Sequence, residues 1–260
     1  MAAEEIILEL REVTSGYISE VDVLRQLTMK VRRGRITSII GANGAGKSTV
    51  LRTIFGFLSP RSGSIVFLGR EVGKWRPLEA VRQGVAYVAQ GRCNFPEMTV
   101  LENIETACYS RHDKGIASDI DDLLHRFPVL GEKKREAAGN LSGGQQQLLE
   151  MAMGLATRPK ILLVDEPTLG LSPKMCDEVF DYIKQINLDG ITVLMVEQNA
   201  ARALDISDHA YVLRLGQNWM EGTGQEILHN PDVREQYLGY SSKPNPGVDD
   251  PGAKGGERAN

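Results

Sequence analysis

The sequence predicts an α/β fold built on a largely parallel β-sheet. Short β-rich runs bounded by Gly, Pro or Asp alternate with helical segments along the chain. Most of these runs are apolar throughout, as strands covered on both faces of a sheet are. The runs are IILELREV, ITSIIG, GSIVFLG, VAYVAQ, ILLVDE, ITVLMVEQ and AYVLRLG.

The clearest helix signal follows the fifth of these runs. Ser172 is a suitable N-cap, and Pro173 stands at the first helical position, where a missing N–H is tolerated. The apolar side of this predicted helix consists of Met175, Val179, Ile183 and Ile186. A strand followed by such a helix is the unit from which parallel sheets are built.

Between about residues 91 and 140, helix signals replace strand signals. Thr99 followed by Glu102 forms a capping box, and the run SDIDDLLHRF carries acidic residues in its first turn. Helices therefore interrupt the α/β pattern in the middle of the chain. We predict a helical subdomain inserted in the α/β core.

The predicted organisation has three parts. The α/β core comprises residues 5–90 and 158–239, and the helical subdomain with its following helix comprises residues 91–157. Residues 240–260 are rich in Gly, Pro and charge. Because such a segment has almost nothing to bury, we predict that this tail is disordered.

Composition narrows the class of protein. The 260 residues are 42% hydrophobic and 25% charged, which suits a globular domain with a substantial core. A formal net charge of -4 argues against a protein whose main work is to neutralise nucleic-acid phosphates.

The three cysteines, Cys93, Cys108 and Cys176, lack metal-ligand spacing, so we interpret them as buried or incidental thiols in a reducing compartment. With no signal peptide or membrane-spanning run visible, the sequence predicts a soluble, cytoplasmic chain whose membrane role goes through a partner.

A glycine-rich turn, IIGANGAGKST, follows the second apolar run. Gly41, Gly46, Lys47 and Ser48 satisfy the pattern G-x-x-x-x-G-K-[ST], between a strand and the helical run STVLRTIFGF. Backbone N–H groups and the helix start would cradle phosphates, and Lys47 would reach the β- and γ-phosphates. An ordinary Gly-rich turn is the alternative, but a chance match would rarely fall at this junction. The ATP-binding residues predicted here are Gly41, Asn43, Gly44, Ala45, Gly46, Lys47, Ser48 and Thr49, with the Ser48 hydroxyl as a ligand of Mg²⁺.

Two adjacent carboxylates end the apolar run ILLVDEP. Their burial in a sheet is costly unless the first acid meets a cation at the end of the strand. We predict that Asp165 holds Mg²⁺ through a water molecule and that Glu166 orients or deprotonates the attacking water as a catalytic residue. A strand that simply exits into solvent would be a serious alternative without the phosphate loop.

A second anion-binding turn lies in LSGGQQQLLEMAMGLATRP, residues 141–159. Ser142, Gly143, Gly144 and Gln145 open a helix there. Since the chain already has a phosphate loop, a second such turn suggests a second nucleotide. A head-to-tail pair of domains, in which each turn closes on ATP held by its partner, is the economical arrangement. A helix N-cap with no further role is the alternative.

These motifs together resemble the ATP-binding subunits of ABC transporters, in which LSGGQ precedes the strand that ends in Asp-Glu. The resemblance covers residues 5 to about 239. It implies a P-loop NTPase core, the ABC ATPase fold, with an N-terminal antiparallel β subdomain and an inserted helical subdomain. It also implies that the chain is an ATPase with ATP and Mg²⁺ as cofactors.

Further residues gain roles only from this resemblance. Tyr17 matches the aromatic residue that stacks on adenine, although a tyrosine near a strand end is more often packing. Gln90 matches the glutamine that contacts Mg²⁺ and links core to helical subdomain, and a polar strand end is its alternative. Residues 169–172, LGLS, match the D-loop. Gln198 falls at the catalytic switch position, where most of the family has histidine.

That glutamine narrows the resemblance to one group. Together with GANGAGKST, GRCNFPEMTVLENI, DEPTLGLSP and a late YLG, it is similar to the LivF-like subunits of branched-chain amino-acid importers. The segment AQGR before FPEMTV is also similar to importers of urea and short-chain amides. The implied partners are a second ABC ATPase subunit, transmembrane permease subunits contacted by residues 91–140, and, indirectly, an extracytoplasmic binding protein. The implied place is the cytoplasmic face of the cell membrane.

Two non-transport classes share the phosphate chemistry. A chromosome-maintenance or DNA-repair ATPase needs a long coiled-coil insertion, but only about 95 residues separate Gly46 from Leu141. A translation-linked ATPase would normally have two cassettes and basic RNA-facing segments, and this chain has one cassette and no basic run. We therefore expect no nucleic-acid partner.

Overall fold

The strands form two separate β-sheets. The computed structural model describes residues 5–91 and 93–237. Its strands are β1 (Ile6–Ser15), β2 (Leu24–Arg32), β3 (Ile36–Gly41), β4 (Ser62–Phe67), β5 (Arg70–Glu71), β6 (Val85–Val88), β7 (Ile161–Asp165), β8 (Thr192–Val196), β9 (His209–Arg214) and β10 (Gln217–Gly222). The predicted disordered tail, 240–260, lies outside the described residues, as do residues 238 and 239 of the predicted core.

The helices connect these strands. They are α1 (Lys47–Phe55), α2 (Pro77–Gln83), α3 (Val100–Ala107), α4 (Ile116–Arg126), α5 (Pro128–Glu132), α6 (Gly143–Ala156), α7 (Pro173–Leu188), α8 (Ala200–Asp205), α9 (Gly224–His229) and α10 (Pro231–Tyr237). Short 3₁₀ helices cover Cys108–Ser110 and Ala138–Asn140. Within the described ranges, no helix is both long enough and apolar enough to cross a bilayer.

The larger sheet has six strands in the order β10-β9-β3-β8-β7-β6. All neighbours from β9 to β6 are parallel, and β10 pairs antiparallel with β9 at the edge. The predicted α/β fold with a largely parallel sheet is thus confirmed. Because the strands are parallel, β3, β7 and β8 end at the same edge of the sheet, where ligands bind in open α/β folds.

The smaller sheet is antiparallel, with the strand order β2-β1-β4-β5. It forms the expected N-terminal β subdomain and contains two of the predicted runs, IILELREV and GSIVFLG. Helix α1 contributes Val50, Leu51 and Ile54, all fully buried, to an apolar cluster shared with both sheets. The start of α1 is thereby held at the end of β3.

Three strands, β2, β5 and β10, were not predicted from the sequence. In β2 the buried positions are Leu24, Leu27, Met29 and Val31, so the alternation is interrupted after the first of them. Gln26 has a positive φ of 50°, and the pairing register with β1 shifts in this region. A bulge of this kind inserts an extra residue and hides the two-residue period. The edge strand β10 has no fully buried residue, so its sequence has no strong apolar pattern.

The helices predicted in the middle of the chain are present as α3, α4 and α5. The capping box at the start of α3 is confirmed, since Glu102 N–H donates to Thr99 Oγ1 at 3.2 Å and Thr99 N–H donates to Glu102 Oε2 at 2.7 Å. Phe127, fully buried, lies in the apolar cluster shared by α3, α4, α6 and α7. Its ring centroid is 4.7 Å from that of Tyr182. These contacts join the helical region to the core.

Candidate nucleotide-binding site

A cavity of about 620 Å³ lies at the carboxyl edge of the parallel sheet. Most of its lining consists of residues that the sequence predicts for ATP binding or hydrolysis. They are Tyr17, Asn43, Gly44, Gly46, Lys47, Ser48, Thr49, Gln90, Glu166 and Gln198, accompanied by Val23 and Leu169. The fold thus brings together side chains from five separate segments of the chain.

The phosphate loop joins the end of β3 to the start of α1. Gly41 approaches the neighbouring strand so closely that a Cβ there would overlap the carbonyl oxygen of Leu213. Gly46 has a φ of 98°, which glycine adopts without strain, and no described side chain caps α1 at this residue. The first-turn N–H groups are therefore left for an anion. Ala45 is buried behind the loop and does not line the cavity.

Lys47 provides the positive charge of the site. Only 5% of its side chain is exposed, and Nζ donates to the carbonyl oxygens of Gly41 at 3.0 Å and Ala42 at 3.3 Å. Burial lowers the pKa of Lys47, while the carboxylates of Glu166 and Asp165 oppose that shift. The ammonium group is thus held beside the loop, 4.0 Å from Glu166 Oε1.

Asp165 ends β7 and lies behind the wall of the cavity, with 1% of its surface exposed. Its Oδ1 accepts a hydrogen bond from Ser48 Oγ at 2.8 Å, and its Oδ2 accepts one from the Tyr87 hydroxyl at 2.9 Å. Burial raises the pKa of Tyr87, and the charge of Asp165 adds to this, so the phenol remains a neutral donor. Tyr87 was not predicted from the sequence, in which its only signal is its place three residues before Gln90.

Glu166 follows β7 in a strained conformation. Its φ of 47° lies in the left-handed region, and its N–H donates to the carbonyl oxygen of Val196 at 2.8 Å. Gln90 Nε2 donates to Glu166 Oε2 at 2.9 Å. Burial raises the pKa of Glu166, although Lys47 opposes this, and a raised pKa suits a base that must accept a proton near neutral pH.

Gln198 reaches the phosphate loop from the end of β8. Its Nε2 donates to Asn43 Oδ1 at 3.4 Å, and its side chain lines the same cavity as Lys47 and Glu166. A strand-end residue with no relation to the site would not have this contact. The geometry favours the predicted switch role.

The signature turn lies elsewhere. Ser142 caps α6 and forms a capping box with Gln145, in which Ser142 N–H donates to Gln145 Oε1 at 3.0 Å. The nearest groups to Gly143 and Gly144 include the side chains of Leu171 and Met175. Among the described residues that line the phosphate cavity, none belongs to 142–145. The turn therefore does not close on the phosphate loop of its own chain.

Tyr17 lines the cavity and is 53% exposed, so it is not a core residue. Arg52 donates to the Tyr17 hydroxyl at 3.1 Å, and its guanidinium carbon lies 5.9 Å from the ring centroid. Thr49 Oγ1 is 3.4 Å from the same hydroxyl. These contacts hold the aromatic ring at the mouth of the cavity, where a purine could stack on it.

We expect Tyr17→Ala to weaken ATP binding and Tyr17→Phe or Tyr17→Trp to change it little. An aromatic stacking contact contributes about 0.5 to 1.5 kcal/mol beyond area burial, which corresponds to a loss of about 2- to 13-fold. Titration calorimetry with ATP measures the difference. Tyr109→Ala is the matched control, because Tyr109 is 87% exposed and lies outside this cavity. Equal affinity of Tyr17→Ala and the parent would exclude stacking.

Comparison with known proteins gives consistent results. The family model for the ABC transporter matches residues 24–169. A high-affinity branched-chain amino acid transport ATP-binding protein of Pseudomonas aeruginosa, BraG, is 40% identical over 225 residues, which cover 86% of this chain and 97% of that protein.

Solved structures agree with the fold. The ADP conformation of an ATP-binding cassette from an ABC transporter superposes with a TM-score of 0.81 at 30% identity, covering 91% of this chain and 100% of that one. A dimeric cassette in a post-hydrolysis state, bound to ADP and phosphate, gives a TM-score of 0.73 at 26% identity, covering 86% of this chain and 99% of that one.

Proposed function

This chain belongs to the ABC transporter family of ATP-binding proteins, and from that membership we propose that it energises an importer of branched-chain or other hydrophobic amino acids. The chain is an ABC ATPase. One observation carries the proposal for its own site. The phosphate loop, Glu166, Gln90 and Gln198 converge on a single cavity, and Asp165 contacts its lining through the 2.8 Å hydrogen bond from Ser48.

The roles that we propose follow from these contacts. Lys47 and the first turn of α1 bind the phosphates, since they supply one positive charge and uncapped backbone donors. Glu166 orients or deprotonates the attacking water, and Gln198 donates an amide N–H to the γ-phosphate. Gln90 holds Glu166 through its 2.9 Å hydrogen bond.

Mg²⁺ fits the oxygen groups beside the phosphate loop. In the part of the chain that the structure describes, no group of three or more His, Cys, Asp or Glu side chains could hold a metal ion. Mg²⁺ is usually held by one or two carboxylates together with substrate phosphates and waters. We propose that Ser48 and the amide oxygen of Gln90 bind it directly and that Asp165 binds it through water. When bound, it would neutralise phosphate charge.

The second nucleotide site is proposed to form with a second ABC ATPase subunit, arranged head-to-tail. The supporting observation is that Ser142, Gly143, Gly144 and Gln145 lie outside the phosphate cavity of their own chain. The similar cassette that binds ADP and phosphate is dimeric. The signature turn would thus close on ATP held by the partner.

Contact with the permease is proposed at the helical region, residues 91–140, which contributes Cys93, Ala107, Tyr109 and Ser110 to a second groove of about 310 Å³ that residues of the core also line. Leu78 of α2 and Tyr109 are exposed there by 50% and 87%, and Met153 of α6 also lines the groove. Exposed apolar side chains in a groove suit an apolar partner segment.

The proposed subdomain boundaries are those predicted from the sequence, with residues 5–90 and 158–239 as the core and residues 91–157 as the helical and signature region. We propose that the chain lies at the cytoplasmic face of the membrane.

Import by cells tests the proposed substrate. Cells whose only copy of this subunit is the parent should take up leucine, isoleucine and valine, and cells with Glu166→Gln should not. Uptake of urea or short-chain amides, with no uptake of amino acids, would instead identify the related amide importers. Association with ribosomes or DNA that salt disrupts, in place of detergent-dependent association with permease subunits, would contradict transport altogether.

Gln198 permits a further prediction about the rate. Glutamine offers only a neutral amide donor, whereas histidine offers a donor that can also be charged. We expect Gln198→Ala to lower turnover, since a lost oxyanion donor typically costs about 10²- to 10³-fold, and Gln198→His to preserve or raise it, since the exchange of histidine for glutamine costs less than that. ATPase assays of the assembled transporter, with the partner's catalytic glutamate disabled, isolate this site. Unchanged turnover in both variants would remove Gln198 from the mechanism.

A further inference from the structure

A buried carboxylate, Glu197, lies between the two loops that carry Glu166 and Gln198. Only 1% of its surface is exposed. Its Oε1 accepts hydrogen bonds from Thr168 N–H at 3.1 Å and Thr168 Oγ1 at 2.7 Å. Its Oε2 accepts hydrogen bonds from the N–H groups of Gln198 at 2.9 Å and Asn199 at 3.0 Å. Each oxygen therefore holds one loop.

The chemistry of this contact requires a carboxylate. Three residues supply four groups that donate hydrogen bonds to Glu197, and a buried charge is tolerated when such donors surround it. A glutamine of the same shape has one accepting oxygen and an amide NH₂ group that cannot accept. It could satisfy the donors of one loop only.

Both loops border the reaction site. Thr168 lies two residues after Glu166, and Gln198 directly follows Glu197. A small cavity of about 320 Å³ beside the phosphate cavity is lined by all four of these residues. The distance between the two loops determines the distance between Gln198 and Glu166. The Glu197 side chain is hydrogen-bonded to both loops.

We propose that Glu197 is a positioning residue. It fixes the loop that carries Gln198 and Asn199 relative to the loop that follows Glu166 and carries Thr168. This inference rests on the proposed roles of Gln198 and Glu166. Because Glu197 lies behind the cavity wall, it acts through these residues and does not contact the nucleotide. Its loss should impair the hydrolysis step more than ATP binding.

Glu197→Gln tests the proposal in the assembled transporter with the partner's catalytic glutamate disabled. We expect kcat to fall by about 10-fold, in line with the loss of a hydrogen bond to a charged group, and KM for ATP to change by less than about 2-fold. In a Gln198→Ala background the same substitution should lower kcat much less, because the residue through which Glu197 acts is already gone. An unchanged kcat, or an equal loss in both backgrounds, would overturn the proposal.

Two further variants keep the test decisive. Glu178→Gln is the matched control, because the Glu178 side chain on α7 is 43% exposed, forms a 4.0 Å ion pair with Lys174 and does not line the phosphate cavity, so it should retain the parent kcat. If Glu197→Gln does not fold, Thr168→Val removes a single hydroxyl donor while preserving the branched shape. It should lower kcat by about 3- to 10-fold, again less in the Gln198→Ala background. Parent kcat in a folded Thr168→Val protein would then overturn the proposal.

Lys47→Ala and Glu166→Gln in the same assay test the proposed ATPase site separately from the positioning role of Glu197. If these variants hydrolyse ATP at the parent rate, the proposed site itself is wrong. If they are impaired while folded Glu197→Gln is not, only the positioning role of Glu197 is wrong.

Discussion

Glu166→Gln is expected to bind ATP normally and to hydrolyse it about 10² to 10⁴ times more slowly than the parent, the range of a lost general base. Glutamine keeps the shape of the side chain and can still accept the hydrogen bond from Gln90, which is 2.9 Å long in the parent. It cannot accept a proton from water. ATP should therefore remain bound, and the closed dimer should accumulate.

Phosphate release and size-exclusion chromatography with ATP measure these two effects. Glu178→Gln serves as the control, since it removes a carboxylate on α7 that is 43% exposed and lies outside the phosphate cavity. Turnover at the parent rate in Glu166→Gln would show that another group activates the water. A stalled rate without an ATP-dependent dimer would contradict the head-to-tail arrangement.

Thermal unfolding distinguishes lost chemistry from lost folding. Burial raises the pKa of Glu166, so the folded state binds a proton at this carboxyl more tightly than the unfolded state does. The protonated side chain therefore stabilises the fold at low pH, and this stabilisation is lost as the pH rises through the folded-state pKa. At neutral pH the ionised side chain is therefore less favourable in the fold than a neutral one. We expect Glu166→Gln to melt at or above the parent temperature at neutral pH and to differ least below the ordinary Glu pKa of 4.5.

Lys47→Ala is expected to lose tight ATP binding. In its proposed role, Nζ donates charged hydrogen bonds to two phosphates, and each such bond contributes about 1.5 to 3 kcal/mol, so the affinity should fall roughly 100-fold or more. Removing Lys47 also removes the cation that lies 4.0 Å from Glu166 Oε1. The pKa of Glu166, which Lys47 lowers in the parent, should consequently rise further.

Calorimetry with ATP measures this loss directly. Lys174→Ala is the matched control, because Lys174 is 88% exposed and has a 4.0 Å contact with a carboxylate like that of Lys47. Parent affinity in Lys47→Ala would show that the nucleotide phosphates bind outside the loop. Weak binding in both lysine variants would indicate a general effect of charge.

Much of the site could be predicted from single segments. The phosphate loop has its glycines, lysine and serine at a spacing that few other structures require, and the strand before Asp165 is apolar until its last residue. The capping box at Thr99 was also a local pattern. Each of these features is decided by neighbours within a few residues, so the sequence shows them directly.

Other parts of the fold depended on pairing between distant segments. Strand β2 was missed because the bulge at Gln26 interrupts the alternation of buried and exposed residues. The segment is defined as a strand by its antiparallel pairing with β1. Tyr87 and Glu197 were missed because their roles are hydrogen bonds to residues 78 and 29 positions away. No periodicity in the sequence reports such contacts.

The sequence by itself determined which segments can carry the chemistry of this protein: a loop with the phosphate-binding pattern, a carboxylate pair at a strand end and a second glycine-containing turn at a helix start. The tertiary structure alone decided which side chains share one cavity. Its strand order, with β3, β8 and β7 adjacent and parallel, brings the phosphate loop, Gln198 and Glu166 together and leaves the signature turn outside. The physical reason is that hydrogen bonding and burial depend on distance in space, whereas a sequence pattern reports only residues near each other along the chain.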